Sequence, residues 1–369
     1  MRLKLRFKPV SFSWVALHPQ PRGVIQFIGG AFFGTFGPMF FYRYLLESLF
    51  NRGYTIIILP FNFTFDHYTE AGFLIKEQYR IIPELVRMAK LAGYNYEIYQ
   101  DNSNFAWIGH SIGCKYIALL EAFSSFPEEP DAIKQIIREV IQEASGSLSP
   151  EKQEKKVQIV FNDIEYLINE LRRKNIKTQN LISYYVNPQD SIAQDKTDNS
   201  DVSIGSLFIK SQPSLLLAPV NTKLDSAIKP KLLANFLISL GVDIKPTPEE
   251  TFVLMEKSRL FNLLGLVYFK SDNIGKSTRE WFLDTFKKPP QDFRAELKGG
   301  HLRSLGFRLG NFVINFPDSF SILPIQSVKN RNADFEFHVT QLLNYLEEKR
   351  QEKQKSNKEF IEQVKLELV

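Results

Sequence analysis

The sequence of 369 residues contains one cysteine, Cys114, and no long hydrophobic run. One cysteine cannot close an internal disulfide, but a chain of this length can bury a core that is stable without one. No stretch approaches the roughly 18 apolar residues that a membrane helix needs, and the basic N-terminus is not followed by the apolar run of a signal peptide. These absences exclude a disulfide scaffold and an integral membrane protein, and they predict a cytoplasmic protein that is not secreted.

Charge of either sign is present in only small excess. The 46 basic and 41 acidic residues leave a net charge of +5, without an Arg/Lys-rich arm or a nucleic-acid module. We therefore expect no nucleic-acid partner, while peripheral contact with an anionic membrane fits the mild positive charge. The 5 histidines are scattered and form no His-x-x-x-His pair, so we expect no metal and no other cofactor. No feature of the sequence predicts an oligomeric state.

Apolar strands and amphipathic helices alternate along the first part of the chain. After an initial hairpin that ends in SFSWVAL, three apolar runs predict buried strands: 23–30, 54–61 and 105–111. Three segments predict helices, the second of them perturbed or broken near Pro83: 38–54, 73–93 and 112–123. This alternation predicts an α/β fold with a mostly parallel central sheet flanked by helices, in which ligands bind beyond the carboxyl ends of the strands.

Residues 131–180 differ from the rest of the sheet domain, to which we assign residues 1–325. Apolar residues recur here at helical spacing in two stretches, and the other faces are rich in Glu, Lys, Arg and Gln. We expect an inserted helical hairpin, which is either a cap over the site or a peripheral hairpin without a role in catalysis. The segment 180–187 predicts a strand, a polar linker follows it, and residues 334–369 predict a charged C-terminal helix.

The motif Gly109-His110-Ser111-Ile112-Gly113 matches the G-x-S-x-G nucleophile elbow. In that elbow a serine occupies a strained turn between a strand and a helix, and glycines flank it because the two elements nearly collide. The pattern alone is weak, because a chain of this length matches it by chance roughly one time in ten. A buried strand before it and an amphipathic helix after it favour the elbow. His110 occupies a variable position and is expected to point away from Ser111.

A nucleophilic serine needs a base, and in this fold the chain order is serine, acid, histidine. Only His301 and His338 follow Ser111. His301 lies in a glycine-marked loop, LKGGH, just after a predicted strand, whereas His338 falls in a predicted helix, so His301 is the expected base. His67 follows the strand that ends near Pro60, and it either lines the pocket or lies on a surface loop.

The acid that orients the base is expected at the carboxyl end of a late strand. Asp272 follows the LLGLVYF strand and precedes His301, which makes it the first candidate. Asp190, after the predicted strand 180–187, is the second candidate, and Asp225 is the third. An aspartate after a strand is also common as a turn or helix cap, so position alone does not decide its role.

The loop FIGGAFFG follows the first buried strand, where this type of site takes one of its two oxyanion donors. We assign the donors to the backbone N–H groups of Ile112 and Ala31, with Phe32 as the alternative to Ala31. Gly29 and Gly30 would let the backbone approach a substrate. A dinucleotide site is excluded, because the loop lacks the G-x-G-x-x-G spacing and the acidic residue about 20 positions later.

Several segments together resemble the domain of unknown function 1350 family: QFIGGAFFG, YRYLLESLFNRGY, FDHY, GHSIGCK, NLISYYVNPQDSIA, PTPEETFVL, FKSDNIGKS and LKGGHL. The resemblance covers residues 5–310 except the hairpin. The family occurs in photosynthetic organisms, including plastids, and it is classed as α/β-hydrolase-like. The resemblance implies an α/β-hydrolase fold with Ser111, Asp272 and His301 as the triad, and it adds the plastid stroma as a location. It implies no substrate.

The chain departs from the family pattern in several places. The oxyanion loop carries an extra residue around FGTFGP, Ser271 stands where an acidic residue is common, and GGHLRS replaces a more usual Asn-His arrangement. The helical hairpin is an expansion. These differences leave the substrate open more than the fold.

The expected function is a serine hydrolase that cleaves an ester, with a lipid or another apolar acyl ester as the substrate class. The 32 phenylalanines and the loop AFFGTFGPMFF favour an apolar acyl group, although a Phe-rich core accounts for the same abundance. The alternatives are a non-catalytic scaffold of the same fold that binds a ligand or protein, and acyl transfer to an acceptor other than water. Cys114 is expected to be a small buried residue, although its place near a helix start could lower its pKa.

Overall fold

The computed structural model describes residues 3–62, 64–144, 148–188, 202–209, 212–221, 244–258, 261–316 and 325–367. Its strands are β1 Lys8–Val10, β2 Ser13–Ala16, β3 Gly23–Ile28, β4 Tyr54–Ile58, β5 Phe105–His110, β6 Ser214–Leu217, β7 Leu264–Phe269, β8 Arg294–Leu297, β9 Phe307–Leu309, β10 Phe312–Ile314 and β11 Ile325–Ser327. Its α-helices are α1 Ala31–Thr35, α2 Pro38–Phe41, α3 Arg43–Asn51, α4 His67–Leu91, α5 Ile112–Phe123, α6 Pro130–Ala144, α7 Pro150–Val186, α8 Ile204–Leu207, α9 Pro248–Lys257, α10 Lys276–Glu280 and α11 Asp334–Glu367.

The first eight strands form one sheet in the order β1-β2-β4-β3-β5-β6-β7-β8, and β9 to β11 form a separate sheet. The hairpin β1–β2 and the pair β2–β4 are antiparallel, whereas the pairs from β4–β3 to β7–β8 are parallel. Parallel neighbours need crossover connections, and helices supply them on both faces. This strand order is that of the α/β-hydrolase fold, so the predicted fold class is confirmed.

Two apolar cores hold the sheet, one on each face. The first includes residues of α4, α5 and the α6–α7 hairpin, and the second includes residues of α3 and α11. Every residue of β3, β4 and β5 is buried, which explains why these strands read as continuous apolar runs rather than as alternating patterns. The carboxyl ends of the parallel strands therefore meet at one edge, between two helical layers.

Helix α4 continues through Pro83, so of the two predicted alternatives, a perturbed or a broken helix, the break is wrong. A proline inside a helix lacks the N–H that would bond the carbonyl four residues earlier, which here is that of Tyr79. The hydroxyl of Thr178, on α7, donates to this carbonyl oxygen at 2.9 Å, and the Thr178 side chain is buried. The inserted hairpin thus supplies the hydrogen bond that the proline removes.

The strand predicted for residues 180–187 is wrong, because helix α7 extends to Val186. The apolar stripe of α7 continues in helical phase through the buried residues Leu171, Thr178 and Ile182. The Ile and Tyr residues of this stretch favour a strand by propensity, but packing against α4 decides in favour of the helix.

The predicted hairpin is α6 and α7, and it is attached to the body along its length. Its buried stripes join the first core, and Lys156 of α7 forms an ion pair with the buried Glu250 of α9. Lys257 of α9 pairs with Glu139 of α6 at 3.1 Å. These contacts fix the hairpin against α4 and α9, while its role as a cap stays a prediction.

Helix α11 is charged, as predicted, but its first half belongs to the second core. Phe335, Val339, Leu343 and Leu346 are buried and follow one another at helical spacing. Among the helices that the structure describes, none combines the length and the apolarity needed to cross a bilayer.

Candidate active site

Ser111 occupies the turn between β5 and α5, at the carboxyl edge of the sheet. Its backbone has φ 57 and ψ −122, a combination that a residue with a side chain adopts only when its surroundings force it. Two contacts with the next strand hold it there. The Ser111 N–H donates to the Leu217 carbonyl at 3.0 Å, and the Val220 N–H donates to the Ser111 carbonyl at 3.3 Å.

The flanking glycines of the elbow are required by close backbone approaches. A Cβ on Gly113 would lie 2.4 Å from the carbonyl oxygen of Ile28, and one on Gly109 would lie 2.8 Å from the nitrogen of Cys114. Both distances are far shorter than any real Cβ contact. The strand β3 and the helix α5 therefore pack against each other through bare backbone, as expected for a nucleophile elbow.

A continuous series of hydrogen bonds joins Ser111, His301 and Asp272. The His301 Nε2 atom lies 2.9 Å from the Ser111 Oγ, and the His301 Nδ1 atom lies 2.9 Å from the Asp272 Oδ2. Because a carboxylate accepts only, the Nδ1 atom carries the proton and Nε2 is the acceptor for the serine hydroxyl. His301 and Asp272 are buried, whereas Ser111 is partly exposed to solvent.

Asp272 lies in the loop after β7, and the backbone of that loop holds its carboxylate. The Oδ1 atom accepts from the N–H groups of Ile274 at 2.9 Å and Gly275 at 2.8 Å. Burial by itself raises the pKa of Asp272, but the hydrogen bond from His301, the electrostatic interaction with its ring and these two N–H groups outweigh burial, so the pKa lies below its usual value. Asp272 is therefore an anion beside His301.

His110 points away from the serine hydroxyl, as the sequence predicts. It also contacts the backbone of the base, His301, which the sequence does not predict. Its Nε2 atom lies 3.0 Å from the backbone carbonyl of His301, and its Nδ1 atom lies 2.8 Å from the hydroxyl of Tyr42. A carbonyl accepts only, so Nε2–H is the donor and Nδ1 accepts from Tyr42. Burial lowers the pKa of His110 to about 3, so the ring is neutral.

The same chain of hydrogen bonds reaches the loop after β3. The N–H of Gly30 donates to the Tyr42 hydroxyl oxygen at 2.7 Å, and Tyr42 is fully buried. Gly30, Tyr42 and His110 thus connect the FIGGAFFG loop to the backbone of His301. No local pattern in the sequence signals this chain, because Tyr42 and His110 are 68 residues apart.

The predicted oxyanion loop lies directly against the elbow. A Cβ on Gly30 would be 3.2 Å from the Ser111 Cβ, and one on Gly29 would be 2.6 Å from the Cα of Gly34. Ala31 and Ile112 are the first residues of α1 and α5, where backbone N–H groups have no acceptor within the helix.

Phe32, the alternative oxyanion donor, belongs to the same short helix α1, and its side chain is 60% exposed. It follows Ala31 directly, two residues after Gly30, which lies against Ser111. The two loops that flank Ser111 are the Gly29–Phe32 stretch and the turn that carries His301.

Other residues considered from the sequence lie apart from this centre. His67 is buried at the start of α4, its ring is 5.5 Å from that of Tyr116, and burial lowers its pKa to about 3. His338 lies in α11, and its Nδ1 faces the Asp334 carbonyl at 2.7 Å. The second and third candidate acids, Asp190 and Asp225, lie outside the described residues. In the part of the chain that the structure describes, no group of acidic, histidine or cysteine residues could hold a metal ion.

Cys114 is buried under the elbow, as predicted, and the alternative that its place near a helix start lowers its pKa is wrong. Its Sγ donates to the carbonyl oxygens of Gly109 at 3.2 Å and Leu217 at 3.4 Å. Burial raises the pKa of the thiol well above its ordinary value, so the position near a helix start does not lower it. The reactive thiolate is therefore disfavoured at this position.

Strand order and elbow together define a protein of the α/β-hydrolase fold. Residues 6–131 also match the model of a family described as "Protein of unknown function (DUF1350)". The resemblance read from the sequence is confirmed over these residues, which include β1 to β5, α1 to α5 and the elbow. Beyond residue 131 it remains a prediction. None of the curated proteins compared with this chain matches it.

Among solved structures, the chain is similar to an inhibited esterase B from Lactobacillus rhamnosis, with 12% identity, a TM-score of 0.44, and coverage of 94% of this chain and 84% of that one. It is also similar to a thermophilic esterase from Thermogutta terrifontis in its butyrate-bound form, with 11% identity, a TM-score of 0.38, and coverage of 93% and 92%. These scores are too low to add to the fold assignment, which rests on the strand order of the chain itself.

Proposed function

We propose that this protein is a serine hydrolase that cleaves carboxylic esters. The observation that carries the proposal is the hydrogen-bonded series from Asp272 through His301 to Ser111, set on a strained turn at the ligand edge of the sheet. Structural serines rarely combine a positive φ, partial exposure and a neutral imidazole acceptor. A nucleophile needs all of these features, because its oxygen has to project, be reached by substrate and lose its proton.

In the proposed reaction the Ser111 oxygen attacks the ester carbonyl while His301 Nε2 takes the serine proton. The carbonyl double bond becomes an oxyanion, and the new C–O bond gives a tetrahedral intermediate. When this intermediate collapses, the alkoxy group leaves with the proton from His301 as the alcohol, and an acyl-serine remains. Water then repeats the sequence, so that the acid is released and Ser111 is restored. Asp272 stays ionised throughout and stabilises the imidazolium.

The oxyanion is proposed to bind the backbone N–H groups of Ala31 and Ile112. Support comes from Gly30, which lies against Ser111 and places the first turn of α1 beside the nucleophile. The Gly30 N–H is engaged by Tyr42, so it is not the donor. Two such N–H groups are worth on the order of 10²–10³ each in rate when they are aimed at the developing charge.

An apolar acyl group, including that of a lipid, is the proposed substrate class. Phe32 and Phe33 follow the proposed donor Ala31 directly, and their rings are 5.4 Å apart. A third ring, that of Phe316, lies 4.9 Å from Phe33. These rings form an apolar cluster that continues the loop next to Ser111, and none of them offers a charged group to a polar acyl chain.

A fluorophosphonate probe tests the proposal, because it reacts with serines that a neighbouring base activates. We expect labelling of the wild type, no labelling of Ser111→Ala, and unchanged labelling of a matched control, Ser125→Ala, in which a serine just beyond the same helix is replaced. Absence of labelling in the wild type would contradict a hydrolase and favour a scaffold that binds a ligand or protein. Analysis of the products with an added alcohol acceptor separates hydrolysis from acyl transfer.

A further inference from the structure

The small sheet β9–β11 exposes an apolar face. Directly paired residues of antiparallel strands lie on one face, and the register pairs Phe312 with Leu309 and Ile314 with both Phe307 and Ile325. Leu309, Phe312 and Ile325 are 62%, 54% and 57% exposed. The opposite face carries Val313, which is fully buried. This arrangement inverts the usual rule, because the side rich in large apolar residues is the one that faces solvent.

A second exposed apolar segment adjoins this face. Phe32, Phe36 and Phe40, in α1, α2 and the turn between them, are 60%, 61% and 54% exposed. Half-buried rings connect the two regions: Phe33 to Phe41 at 4.9 Å, and Phe41 to Phe307 at 6.5 Å. We call the six exposed side chains the aromatic rim, namely Phe32, Phe36, Phe40, Leu309, Phe312 and Ile325. With these exposures the rim is on the order of 600 Å², the size at which exposed apolar surface marks an interaction site.

The aromatic rim adjoins the two loops that flank Ser111. Its first segment begins at Phe32, next to the proposed oxyanion donor, and its second begins a few residues after His301. A hydrogen bond from the Gly306 N–H to the Phe41 carbonyl, at 2.8 Å, ties the two segments together. A surface that covers the rim would therefore contact segments next to both loops of the site.

The described segments 30–46, 302–316 and 325–333 contain cations and no carboxylates: Arg43, Arg303, Arg308, Lys329 and Arg331. Arg43, Arg303 and Arg331 pair with Glu47, Asp334 and Glu336, of which Glu47 and Asp334 are partly exposed. The exposed cations are Arg308, which pairs with Val313 on the other face of the small sheet, and Lys329 just after β11. A second copy of the chain would bring the same cations against themselves across a two-fold axis, which disfavours self-association through this face.

We propose that the aromatic rim docks the protein on an anionic lipid–water interface and places Ser111 above it. Apolar rings enter the boundary between headgroups and acyl chains, and the exposed cations meet the anionic headgroups. The proposal deepens the proposed function, because it takes the ester from a lipid phase rather than from water. Docking itself needs no catalysis, so the two can be tested apart.

Co-sedimentation of the full chain with vesicles measures the docking. The vesicles contain phosphatidylcholine alone or with about 30% phosphatidylglycerol, so that only the surface charge differs. The test variant is Phe36→Ser/Leu309→Thr/Phe312→Thr, and the matched control is Leu91→Ser/Ile159→Ser/Tyr166→Ser. The control removes apolar side chains that are 76%, 47% and 63% exposed elsewhere.

We expect the wild type to bind the anionic vesicles and the control to bind equally well. The rim variant should bind at least about tenfold more weakly, since each lost side chain would bury on the order of 100 Å². Arg308→Gln/Lys329→Gln should lose the preference for anionic vesicles, and wild-type binding should weaken as salt rises from about 0.05 to 0.5 M. Equal binding of the rim variant and the control would overturn the proposal, as would a wild type that binds no vesicle. A wild type that forms dimers which the rim variant cannot form, with vesicle binding unchanged, would assign the rim to a second copy.

The failure of docking is distinguishable from the failure of catalysis. Vesicle binding is measured on Ser111→Ala as well, and hydrolysis is measured on a water-soluble short-chain ester and on a vesicle-embedded ester. Binding by Ser111→Ala without hydrolysis by the wild type would leave the docking in place and refute the hydrolase. A wild type that hydrolyses the soluble ester at full rate but does not bind vesicles would refute the docking and leave the hydrolase in place.

Discussion

Replacing Tyr42 by phenylalanine tests the hydrogen-bond chain that connects the two loops of the site. The Tyr42 hydroxyl donates to His110 Nδ1 at 2.8 Å and accepts from the Gly30 N–H at 2.7 Å, and all of these groups are buried. Tyr42→Phe keeps the ring and removes only the hydroxyl. Both partners then lose their bond without access to water, at roughly 1–3 kcal/mol for each buried group, so the free energy of unfolding should fall by about 2–6 kcal/mol.

The same substitution should slow the chemistry more than general destabilisation would. The chain ends at the His301 carbonyl, 3.0 Å from His110 Nε2. Without the Tyr42 hydroxyl, the His110 ring is held less firmly, and so is the His301 backbone that it contacts. A misplacement of the base costs on the order of tenfold in rate, and we expect the fluorophosphonate labelling rate to fall by about that factor in Tyr42→Phe. The affinity for a reversible ligand should change little.

Urea unfolding followed by circular dichroism measures the stability, and single-turnover labelling measures the rate. Tyr99→Phe is the matched control, because Tyr99 is also fully buried and its hydroxyl bonds only Thr55 in the described structure, at 2.7 Å. We expect this control to lose stability and to label at the wild-type rate. The reasoning is refuted if Tyr42→Phe is as stable as the wild type, or if the two variants label equally fast.

Three further predictions concern single residues. Gly113→Ala forces a Cβ to 2.4 Å from a backbone oxygen and should lower the free energy of unfolding in urea by about 1–3 kcal/mol or more. The control Gly72→Ala, which meets only the flexible Leu167 side chain, should lower it less, and equal losses would contradict the elbow geometry. Asp272→Asn should lower kcat for a soluble ester on the order of 10³–10⁴-fold with the fold intact, and a loss below about tenfold would remove Asp272 from the proposed role. Burial raises the pKa of Glu121 to about 7, so the folded state keeps a proton that the unfolded state releases near pH 4.3. Wild-type stability should therefore fall between about pH 4.5 and 7. Glu121→Gln should be roughly 3–4 kcal/mol more stable than the wild type above pH 7 and about equal to it below pH 4.5, and a parallel pH profile would show that the carboxyl is not held neutral.

The arrangement of Ser111, Asp272 and His301 could be anticipated because each residue is placed by a short pattern. The glycines at positions 109 and 113 indicate a strand and a helix in close contact, and LKGGH indicates a loop after a strand. Parallel strands then bring the ends of β5, β7 and β8 to one edge, since neighbouring carboxyl ends meet there. Residues that are far apart in the chain thus converge because the topology is regular.

The Tyr42–His110 chain and the course of α7 could not be anticipated in the same way. Tyr42 lies in a predicted helix among other aromatics, and its partner depends on how α3 sits against β5, which no spacing in the sequence encodes. Residues 180–187 combine β-forming side chains with an apolar stripe in helical phase, and only the contact with α4 decides between them. That contact is specific, because the Thr178 hydroxyl donates to the Tyr79 carbonyl, which Pro83 cannot bond.

The direction of the small sheet's apolar face is not predicted by the sequence. Its strands, FRL, FVI and IQS, are only three residues each, which is too short for an apolar periodicity to show which side faces a core. The structure buries Val313 alone and turns Leu309, Phe312 and Ile325 outward, beside the exposed phenylalanines of α1 and α2. An apolar face that the fold leaves in water costs solubility unless something apolar covers it. In the proposed docking, a lipid surface covers this face and presents an ester to Ser111 in the same contact.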